Sequence, residues 1–444
     1  MSRLEIIEGF PRAKAALSRR VTADSYKVSP ALSKKLKEMF ATEEPEAAVK
    51  QIISQVRSRG DKALIKLTAK IDGLRLGSLE VEKEALKRAY QQVAPELVAA
   101  LELAAGRIKA FHERQRDGLG NGFSMPGVGQ LLRPLERVGV YAPGGSASYP
   151  STVLMAAIPA RVAGVREVIL ATAPRADGLP PPPTLVAADI AGVSRVFRVG
   201  GAQAIAALAF GTKSIPKVDK VCGPGNIFVV IAKKLVYGEV AVDGLQGPSE
   251  VFIIADGKAD PEYCAADLLA QAEHDPLAQA VLVTTSPELA TEVSREIERQ
   301  FGSLPADTIA AGYLKDRGKI VIVADIEEAI ALANLYAPEH LCLMVDNAAS
   351  YVSRISNAGC IFVGGRSTVA LGDYVAGPSH VLPTGGTARY GAPLNVADFI
   401  KIMSLINLDV ADLRELGQAA VTIARAEGFE AHARAVEKRL SPDK

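Results

Sequence analysis

The sequence contains no tryptophan, and aromatic residues make up only 5% of its 444 positions. Proteins that bind single-stranded nucleic acid stack the bases on aromatic side chains, so this scarcity argues against such a partner. Neither sign of charge dominates, because 51 lysine and arginine residues are balanced by 50 aspartate and glutamate residues. Without a broad positive field, binding to nucleic acid or to an anionic membrane surface is not expected.

A long apolar run that could cross a membrane is also missing. The longest uncharged stretch, residues 138–160, is interrupted by prolines, by a glycine pair and by serines. The first residues carry Glu5 and Glu8, where a secretory signal needs an unbroken apolar segment. We therefore expect no membrane span and no export signal, and a cytoplasmic location.

Cysteine is scarce, and its spacing excludes a disulfide scaffold or a CxxC metal site. The four cysteines are far apart in the sequence: Cys222, Cys264, Cys342 and Cys360. Buried, reduced thiols are the expected state. Neither GxGxxG nor GxxxxGK[ST] occurs. Two glycine-rich turns, residues 140–148 and 223–226, could present backbone amides to a phosphate, but tight turns alone would explain them.

The chain does contain clear periodic segments, and its length suggests about three structural units. Residues 25–115 carry apolar residues at helical spacing and predict an all-α opening, with residues 1–24 as a separate arm. From residue 138, short β-rich runs alternate with alanine-rich helical runs, first in one block and then in a second. This alternation predicts an α/β protein with two tandem, mostly parallel sheets. After Pro393 the pattern is helical again.

Only five histidines are present. His112 lies on an amphipathic helix, where a solvated surface position is expected. The other four follow or precede predicted elements beside polar or acidic residues: His274, His340, His380 and His432. These placements leave metal or acid–base chemistry and a purely structural role equally open.

Gln271 and His274 occupy the last turn of a predicted helix that Asp275 and Pro276 end. Three residues apart, they share a helix face, and an amide oxygen with an imidazole could begin a metal site. Taken alone, a histidine that simply stabilises a helix C-terminus is the simpler interpretation. In the long loop of residues 372–386, Asp373 is a candidate third ligand or a turn residue that binds its own backbone.

Glu339 and His340 directly precede the apolar run LCLMV. At the mouth of a strand, both could face the crevice in which α/β sheets bind ligands. A carboxylate beside an imidazole suits stepwise proton transfer, whereas a surface dipeptide at a strand end is equally compatible with the pattern. Glu427 and His432, near the last helix, have the spacing of exposed positions.

Eight segments, in this order along the chain, resemble the histidinol dehydrogenase family: VGVYAPGGSASYPSTVLMAAIPARVAG, VGGAQAIAALAFGT, VDKVCGPGN, GPSEVFIIAD, DLLAQAEHDP, YAPEHL, GDYVAGPSHVLPT and EGFEAHA. The resemblance spans nearly the whole chain. It implies a zinc-dependent homodimer that oxidises L-histidinol to L-histidine through bound L-histidinal, with two NAD reduced, at the end of histidine biosynthesis.

The resemblance also implies two incomplete Rossmann-like domains, the second inserted into the first, with small terminal segments that reach the partner subunit. The expected bounds are an arm at 1–24, a first domain at 25–140 and 250–394, an inserted domain at 141–249, and a helical dimerisation segment at 395–444.

Matched motif by motif, the family's site residues fall on named positions of this chain. The implied zinc ligands are Gln271, His274, Asp373 and, from the other subunit, His432. The implied catalytic pair is His340 as base and Glu339 as the group that activates water. The implied substrate contacts are Ser249, His380 and Glu427 together with the zinc ligands, and the implied NAD contacts are Tyr141, Gln203 and Asn226.

Two departures from the family pattern flank this expected site. Leu245-Gln246 stands where proline-alanine is usual, and Ser379 stands where asparagine is commoner. They leave room for a paralogue that acts on another hydroxyl substrate, such as sulfopropanediol. A zinc hydrolase in which Glu339 activates water, and a metabolite-binding protein without turnover, are alternatives of other classes. The presence of both His380 and Glu427 favours histidinol.

Overall fold

The computed structural model describes residues 4–18, 29–145, 148–274, 277–304 and 318–441. Its strands, in chain order, are β1 (Glu5–Glu8), β2 (Gly122–Met125), β3 (Gly127–Pro134), β4 (Arg137–Ala142), β5 (Glu167–Thr172), β6 (Arg195–Phe197), β7 (Lys220–Cys222), β8 (Ala241–Val242), β9 (Glu250–Ala255), β10 (Gln279–Thr284), β11 (Gly318–Ile322), β12 (His340–Met344), β13 (Cys360–Val363) and β14 (Ile400–Asn407).

Its α-helices are α1 (Phe10–Leu17), α2 (Pro30–Phe40), α3 (Pro45–Arg59), α4 (Asp61–Ile71), α5 (Lys83–Tyr90), α6 (Pro95–Leu119), α7 (Pro150–Ala163), α8 (Pro182–Ile190), α9 (Gly201–Phe210), α10 (Ile227–Val236), α11 (Pro261–Ala272), α12 (Pro287–Phe301), α13 (Ile326–Tyr336), α14 (Val369–Tyr374), α15 (Val410–Ala426) and α16 (Glu430–Leu440). Helices alternate with parallel strands through the middle of the chain, which confirms the predicted α/β class.

A five-stranded parallel sheet has the strand order β6-β5-β4-β7-β8. Alternate side chains of β5 enter different cores: Val168 and Leu170 pack with α5 to α8, whereas Ile169 and Ala171 pack with α3, α4, α9 and α10. Because both faces of the sheet are buried, its strands are continuous apolar runs. The N-terminal helices α2 to α6 therefore cover this sheet, whereas they were expected to belong with residues 250–394.

A six-stranded parallel sheet has the order β1-β11-β10-β9-β12-β13. Helices α11 and α12 pack on one face, and α1 and α13 pack on the other. The expected separate arm is wrong for residues 4–18, because Glu5–Glu8 pairs with Gly318–Ile322 at the sheet edge. Four residues with only two apolar side chains are too short to predict a strand by alternation. Residues 19–24 of the expected arm lie outside the described part of the chain.

A three-stranded antiparallel sheet, β14-β3-β2, was not predicted. It overturns the expectation that the chain is helical throughout after Pro393, since Ile400–Asn407 pairs with Gly127–Pro134 along its whole length. All but the first residue of β14 are exposed on both faces. Without a buried face the strand has no apolar–polar alternation, which explains why the pattern did not reveal it.

His112 corrects another expectation, because it is fully buried rather than solvated. It continues the buried stripe of α6 through Leu101, Ala104 and Ile108, at the three- and four-residue spacing of one helix face. Its Nδ1 lies 2.7 Å from Oε1 of Gln115, and burial lowers the pKa of the imidazole. Among the described helices, none has the length and apolar character needed to cross a membrane.

Candidate active site

The candidate site forms at the amino edge of the six-stranded sheet. Strand β9 begins at Glu250 and β12 begins at His340, and these two parallel strands are neighbours. Helix α11 follows β9 and returns to the same edge before β10, so its last turn ends beside the strand starts. The sequence pattern suggested the ligand crevice of α/β sheets, which lies at the carboxyl ends of the strands. In this sheet, helix C-termini and strand starts meet at the opposite edge.

Glu339 and His340 are both buried there and are held by the start of β9. Oε2 of Glu339 accepts hydrogen bonds from the Ser249 hydroxyl at 2.5 Å and from the Glu250 backbone N–H at 2.7 Å. Nδ1 of His340 lies 2.9 Å from the carbonyl oxygen of Glu250. A carbonyl oxygen only accepts, so Nδ1 carries a proton and donates it, which leaves Nε2 as the basic nitrogen of the neutral ring.

Each of these two side chains shifts the pKa of the other. Burial raises the pKa of Glu339 to about 7, although His340 and the hydrogen bonds from residues 249 and 250 oppose that shift. Burial acts to lower the pKa of His340, but the nearby carboxylates of Glu339 and Asp373 outweigh it and raise the pKa to about 9. Nδ1 of His340 lies 3.5 Å from Oε2 of Glu339. The arrangement is an acid–base pair that can hold and exchange protons near neutral pH.

Polar side chains surround the free nitrogen of His340. Its Nε2 lies 3.5 Å from Oδ1 of Asp373, without hydrogen-bonding geometry, and Oδ2 of the same aspartate lies 3.8 Å from Nε2 of His274. Gln271 is 2% exposed, and within the described part of the chain both of its amide atoms lack a hydrogen-bonding partner. Because an unsatisfied buried amide costs free energy, these atoms indicate a missing partner.

Three of the four predicted metal ligands therefore lie on elements that meet at one edge. An amide oxygen, an imidazole nitrogen and a carboxylate fit a divalent ion such as Zn²⁺, which accepts nitrogen and oxygen ligands. In the part of the chain that the structure describes, no three or more His, Cys, Asp or Glu side chains are grouped to hold a metal ion on their own. Asp275 and Pro276, expected to end α11, lie outside the described residues, and the helix ends at Ala272.

Glu427 and His432 are not brought to this edge by the contacts of the single chain. Both are exposed, and the His432 ring lies 5.2 Å from the ring of Phe429. They lie at the junction of α15 and α16, two helices that pack mainly against each other. Their predicted roles thus require a second subunit.

His380 connects the site to the five-stranded sheet. Its Nδ1 lies 2.8 Å from the carbonyl oxygen of Asp373, and its Nε2 lies 3.3 Å from Oγ1 of Thr152 in the first turn of α7. Helix α7 follows β4, so its N-terminus stands at the carboxyl edge of the five-stranded sheet. The carboxyl edge of one sheet therefore faces the amino edge of the other, with His380 between them.

The predicted NAD contacts follow strands of the five-stranded sheet. The Tyr141 hydroxyl, near the end of β4, accepts a hydrogen bond from the Gly201 N–H at 3.1 Å, and burial raises the pKa of the phenol to about 12. Gln203 is buried in the first turn of α9. Asn226 is exposed and caps α10, accepting from two backbone N–H groups. All three occupy the carboxyl edge, where α/β sheets bind nucleotides.

The turn before Asn226 requires glycine. Gly223 has φ +112°, and a Cβ there would lie 2.0 Å from the carbonyl oxygen of Tyr141. A larger residue would push the ends of β4 and β7 apart. Tight packing alone thus accounts for the glycine at this position.

The two departures from the family pattern are accommodated away from the reacting groups. Oε1 of Gln246 accepts a hydrogen bond from Nζ of the buried Lys233 at 3.0 Å, and the Ser379 hydroxyl donates to the Met155 carbonyl at 3.2 Å. Lys233 also forms a buried ion pair with Asp243. Gln246 and Ser379 thus take part in loop contacts, and their hydrogen bonds go to Lys233 and Met155 rather than to the acid–base pair.

Two polar residues at this edge were not predicted. Asp267 is buried one helical turn before Gln271, and Thr368 donates a 2.6 Å hydrogen bond to its Oδ1. Asp267 and Gln271, four residues apart on α11, share one helix face, which is the signal that could have identified Asp267.

Fold and site together define an α/β enzyme with a buried carboxylate–imidazole pair beside nitrogen and oxygen donors suited to a metal. The sequence model of the family described as "Histidinol dehydrogenase" matches residues 36–440. A histidinol dehydrogenase of Dehalococcoides mccartyi (strain 195) is 53% identical, over 98% of this chain and 100% of that protein. A histidinol dehydrogenase of Deinococcus radiodurans is 50% identical, again over 98% and 100% of the two chains.

A crystal structure of histidinol dehydrogenase from Elizabethkingia anophelis has a TM-score of 0.88 to this fold at 35% identity, with 98% of each chain covered. The chain belongs to the histidinol dehydrogenase family. It is accordingly an NAD-dependent oxidoreductase of histidine biosynthesis.

Proposed function

We propose that this enzyme oxidises L-histidinol to L-histidine by way of bound L-histidinal, reduces two NAD in the process, and depends on Zn²⁺. The observation that carries the proposal is the buried amide of Gln271, which has no partner although His274 and Asp373 lie on neighbouring elements. A divalent ion would satisfy this amide and would neutralise the aspartate.

Gln271, His274 and Asp373 would hold the ion from this chain, and His432 of the partner subunit would complete four ligands. When bound, Zn²⁺ supplies a fixed positive centre that orients an imidazole and an amine of the substrate. Ser249, His380 and Glu427 would contact the same substrate. Support comes from the hydrogen bond of Ser249 to Glu339 and from the contact of His380 with Asp373, and Glu427 lies five residues before His432 in sequence.

In the first half-reaction, His340 accepts the hydroxyl proton of histidinol while a hydride passes to NAD from the carbon that bears this hydroxyl. Its Nε2 is suited to this role because Nδ1 is already committed to the Glu250 carbonyl. In the second half-reaction, Glu339 removes a proton from water that adds to the aldehyde and forms its hydrate. His340, having released its first proton, then accepts a hydroxyl proton of the hydrate as a hydride passes from the hydrate carbon to a second NAD. Burial of both side chains keeps bulk water from competing.

NAD would bind at the carboxyl edge of the five-stranded sheet, with Tyr141, Gln203 and Asn226 as contacts. Support comes from His380, whose hydrogen bonds link this edge to Asp373. A nicotinamide at that edge would therefore point toward the acid–base pair. The two sheets would act as the Rossmann-like domains that the family resemblance implies, in a cytoplasmic enzyme.

A homodimer would complete the site. Supporting it, β14 and α15 of the C-terminal segment expose large apolar side chains, including Ile402, Ile406 and Val410, each more than 60% exposed. Apolar surface of this kind marks a protein–protein contact. The same segment carries Glu427 and His432, so a partner that covers it could receive both residues.

The test is the stoichiometry of NADH formed from L-histidinol. We expect two NADH per histidinol, loss of the signal after chelation, and its return with Zn²⁺. Sulfopropanediol, assayed in parallel, distinguishes a paralogue. A zinc-loaded enzyme that forms no NADH from histidinol would contradict the proposal and would favour a hydrolase, and binding without turnover would indicate a metabolite-binding protein.

A further inference from the structure

One buried carboxylate near the proposed zinc ligands has no assigned role. Asp267 is 6% exposed, lies in the middle of α11, and precedes Gln271 by four residues. Only one of its carboxylate oxygens is satisfied, because Oδ1 accepts from Thr368 whereas Oδ2 has no partner. Burying half of a carboxylate without a donor is costly, so this position needs an explanation.

Thr368 joins two ligand-bearing helices through this contact. It is the residue that precedes α14, the helix that carries Asp373, and its side chain makes no capping hydrogen bond to that helix. A threonine at such a position ordinarily accepts from the backbone of the first turn. Here the hydroxyl instead reaches across to Asp267 at 2.6 Å, so the two helices are fastened to each other.

The unsatisfied oxygen has a natural donor on its own helix. Residues four apart on a helix are neighbours, and glutamine and aspartate at this spacing form hydrogen bonds. Among the described residues, the Gln271 Nε2 group is a buried donor without a partner and Oδ2 of Asp267 is a buried acceptor without one, so the two are not hydrogen-bonded to each other in this structure. If Nε2 donates to Asp267, Oε1 is the amide atom left for a cation, which an amide nitrogen cannot bind.

We propose that Asp267 is a positioning residue for the divalent ion: it orients the Gln271 amide and, through Thr368, fixes the helix that carries Asp373. This inference rests on the proposed zinc-dependent function. Groups behind metal ligands commonly act in this way, and their loss typically weakens metal binding by about 10- to 100-fold.

The experiment measures Zn²⁺ affinity of the full-length enzyme by competition with a chromophoric chelator. Thr368→Val removes the hydroxyl with little change of shape and should weaken binding about tenfold, whereas Thr368→Ser retains it and should bind as the wild type does. Asp267→Asn offers an amide donor where an acceptor is needed, favours the wrong orientation of Gln271, and should cost at least as much.

Thr291→Val is the matched control, because it removes an exposed hydroxyl that bonds only the Pro287 carbonyl on α12. Co²⁺ substitution gives a second readout, since the visible spectrum should change in Asp267→Asn and not in Thr291→Val. Unchanged Zn²⁺ affinity in both Thr368→Val and Asp267→Asn would overturn the inference and leave the proposed function intact. Failure of the wild-type enzyme to bind Zn²⁺ would overturn both. If Asp267→Asn does not fold, the serine and valine variants at 368 still decide the matter.

Discussion

At the scale of single residues, the proposed mechanism divides two proton-transfer tasks between the adjacent side chains of Glu339 and His340. One carboxylate oxygen of Glu339 accepts hydrogen bonds from the Ser249 hydroxyl and from a backbone N–H. Nδ1 of His340 donates a hydrogen bond to a backbone carbonyl. The imidazole is thereby fixed with Nε2 toward Asp373, and the carboxylate is left to act on water. The two roles can be tested independently.

Replacing Glu339 with glutamine should slow the oxidation of L-histidinal by about 100-fold or more, because a neutral amide cannot take a proton from water. Oxidation of the alcohol needs no water and should fall by less than about tenfold. Each half-reaction can be followed by NADH formation from its own substrate. An equal loss in both would exclude Glu339 as the group that activates water.

The rate of alcohol oxidation should rise with pH, because the Glu339 carboxylate raises the pKa of His340 and the ring must be neutral to accept a proton. In Glu339→Gln the rise should move to lower pH, since one of the carboxylates that raise this pKa is gone. Profiles of kcat against pH for both proteins check this. A midpoint that stays unchanged in the variant would refute the coupling.

Several residues could be located from the sequence, although the reasons differ. Gln271 and His274 follow from helical spacing, and Asp373 is a candidate third ligand from its place in a long loop, whereas the complete ligand set comes from family resemblance. Asp267 was missed because a lone aspartate inside a helix looks solvated until its partner, Thr368, is seen across 101 residues of chain. His112 was misplaced although its spacing from Leu101 marks the buried face.

At the scale of elements, βαβ alternation was readable because both parallel sheets are buried on both faces. Alternation predicts neither which helices cover which sheet nor where a short edge strand attaches, since both depend on contacts distant in sequence. Glu5–Glu8 illustrates this, because its partner strand begins more than 300 residues later. The antiparallel strands β2, β3 and β14 lack a fully buried face, so no periodic signal marked them.

An ion pair fastens the C-terminal segment to the five-stranded sheet. Nζ of the buried Lys220 in β7 donates to Oδ1 of Asp398 at 2.7 Å and to its carbonyl oxygen at 3.0 Å. Asp398→Ala should lower the free energy of unfolding by about 3 kcal/mol, because the lysine is left buried without its counter-charge.

Adding Lys220→Met to Asp398→Ala should recover much of that loss, since no unpaired charge remains. Chemical denaturation measures both effects. The control is Glu239→Ala, whose exposed pairing with Lys217 spans 3.6 Å and should contribute less than about 1 kcal/mol. If Asp398→Ala matches that control, the pair does not fasten the segment.

At the scale of the whole molecule, the proposed active site needs two chains. His432→Ala and Gln271→Ala should each be inactive as homodimers. Mixing the two chains under exchange should restore about a quarter of wild-type activity, because half of the dimers are mixed and each has one intact site. Gln271→Ala mixed with His274→Ala is the control, since both defects fall on the same side of the interface and no intact site forms.

Sequence reasoning alone placed His432 and Glu427 on an exposed helical face, and within one chain they are exposed. Their proposed participation could be inferred only from family resemblance, because a surface that a partner covers has the same periodicity as one that water covers. The exposed apolar residues of β14 and α15 support the proposed partner.

The most direct measurement is anomalous diffraction at the zinc edge from crystals of the metal-loaded enzyme. The account predicts one zinc for each chain, with Gln271, His274, Asp373 and His432 of the partner subunit each at about 2.0–2.2 Å. Zinc bound elsewhere, or a site at this edge in which Gln271 and His432 take no part, would contradict it.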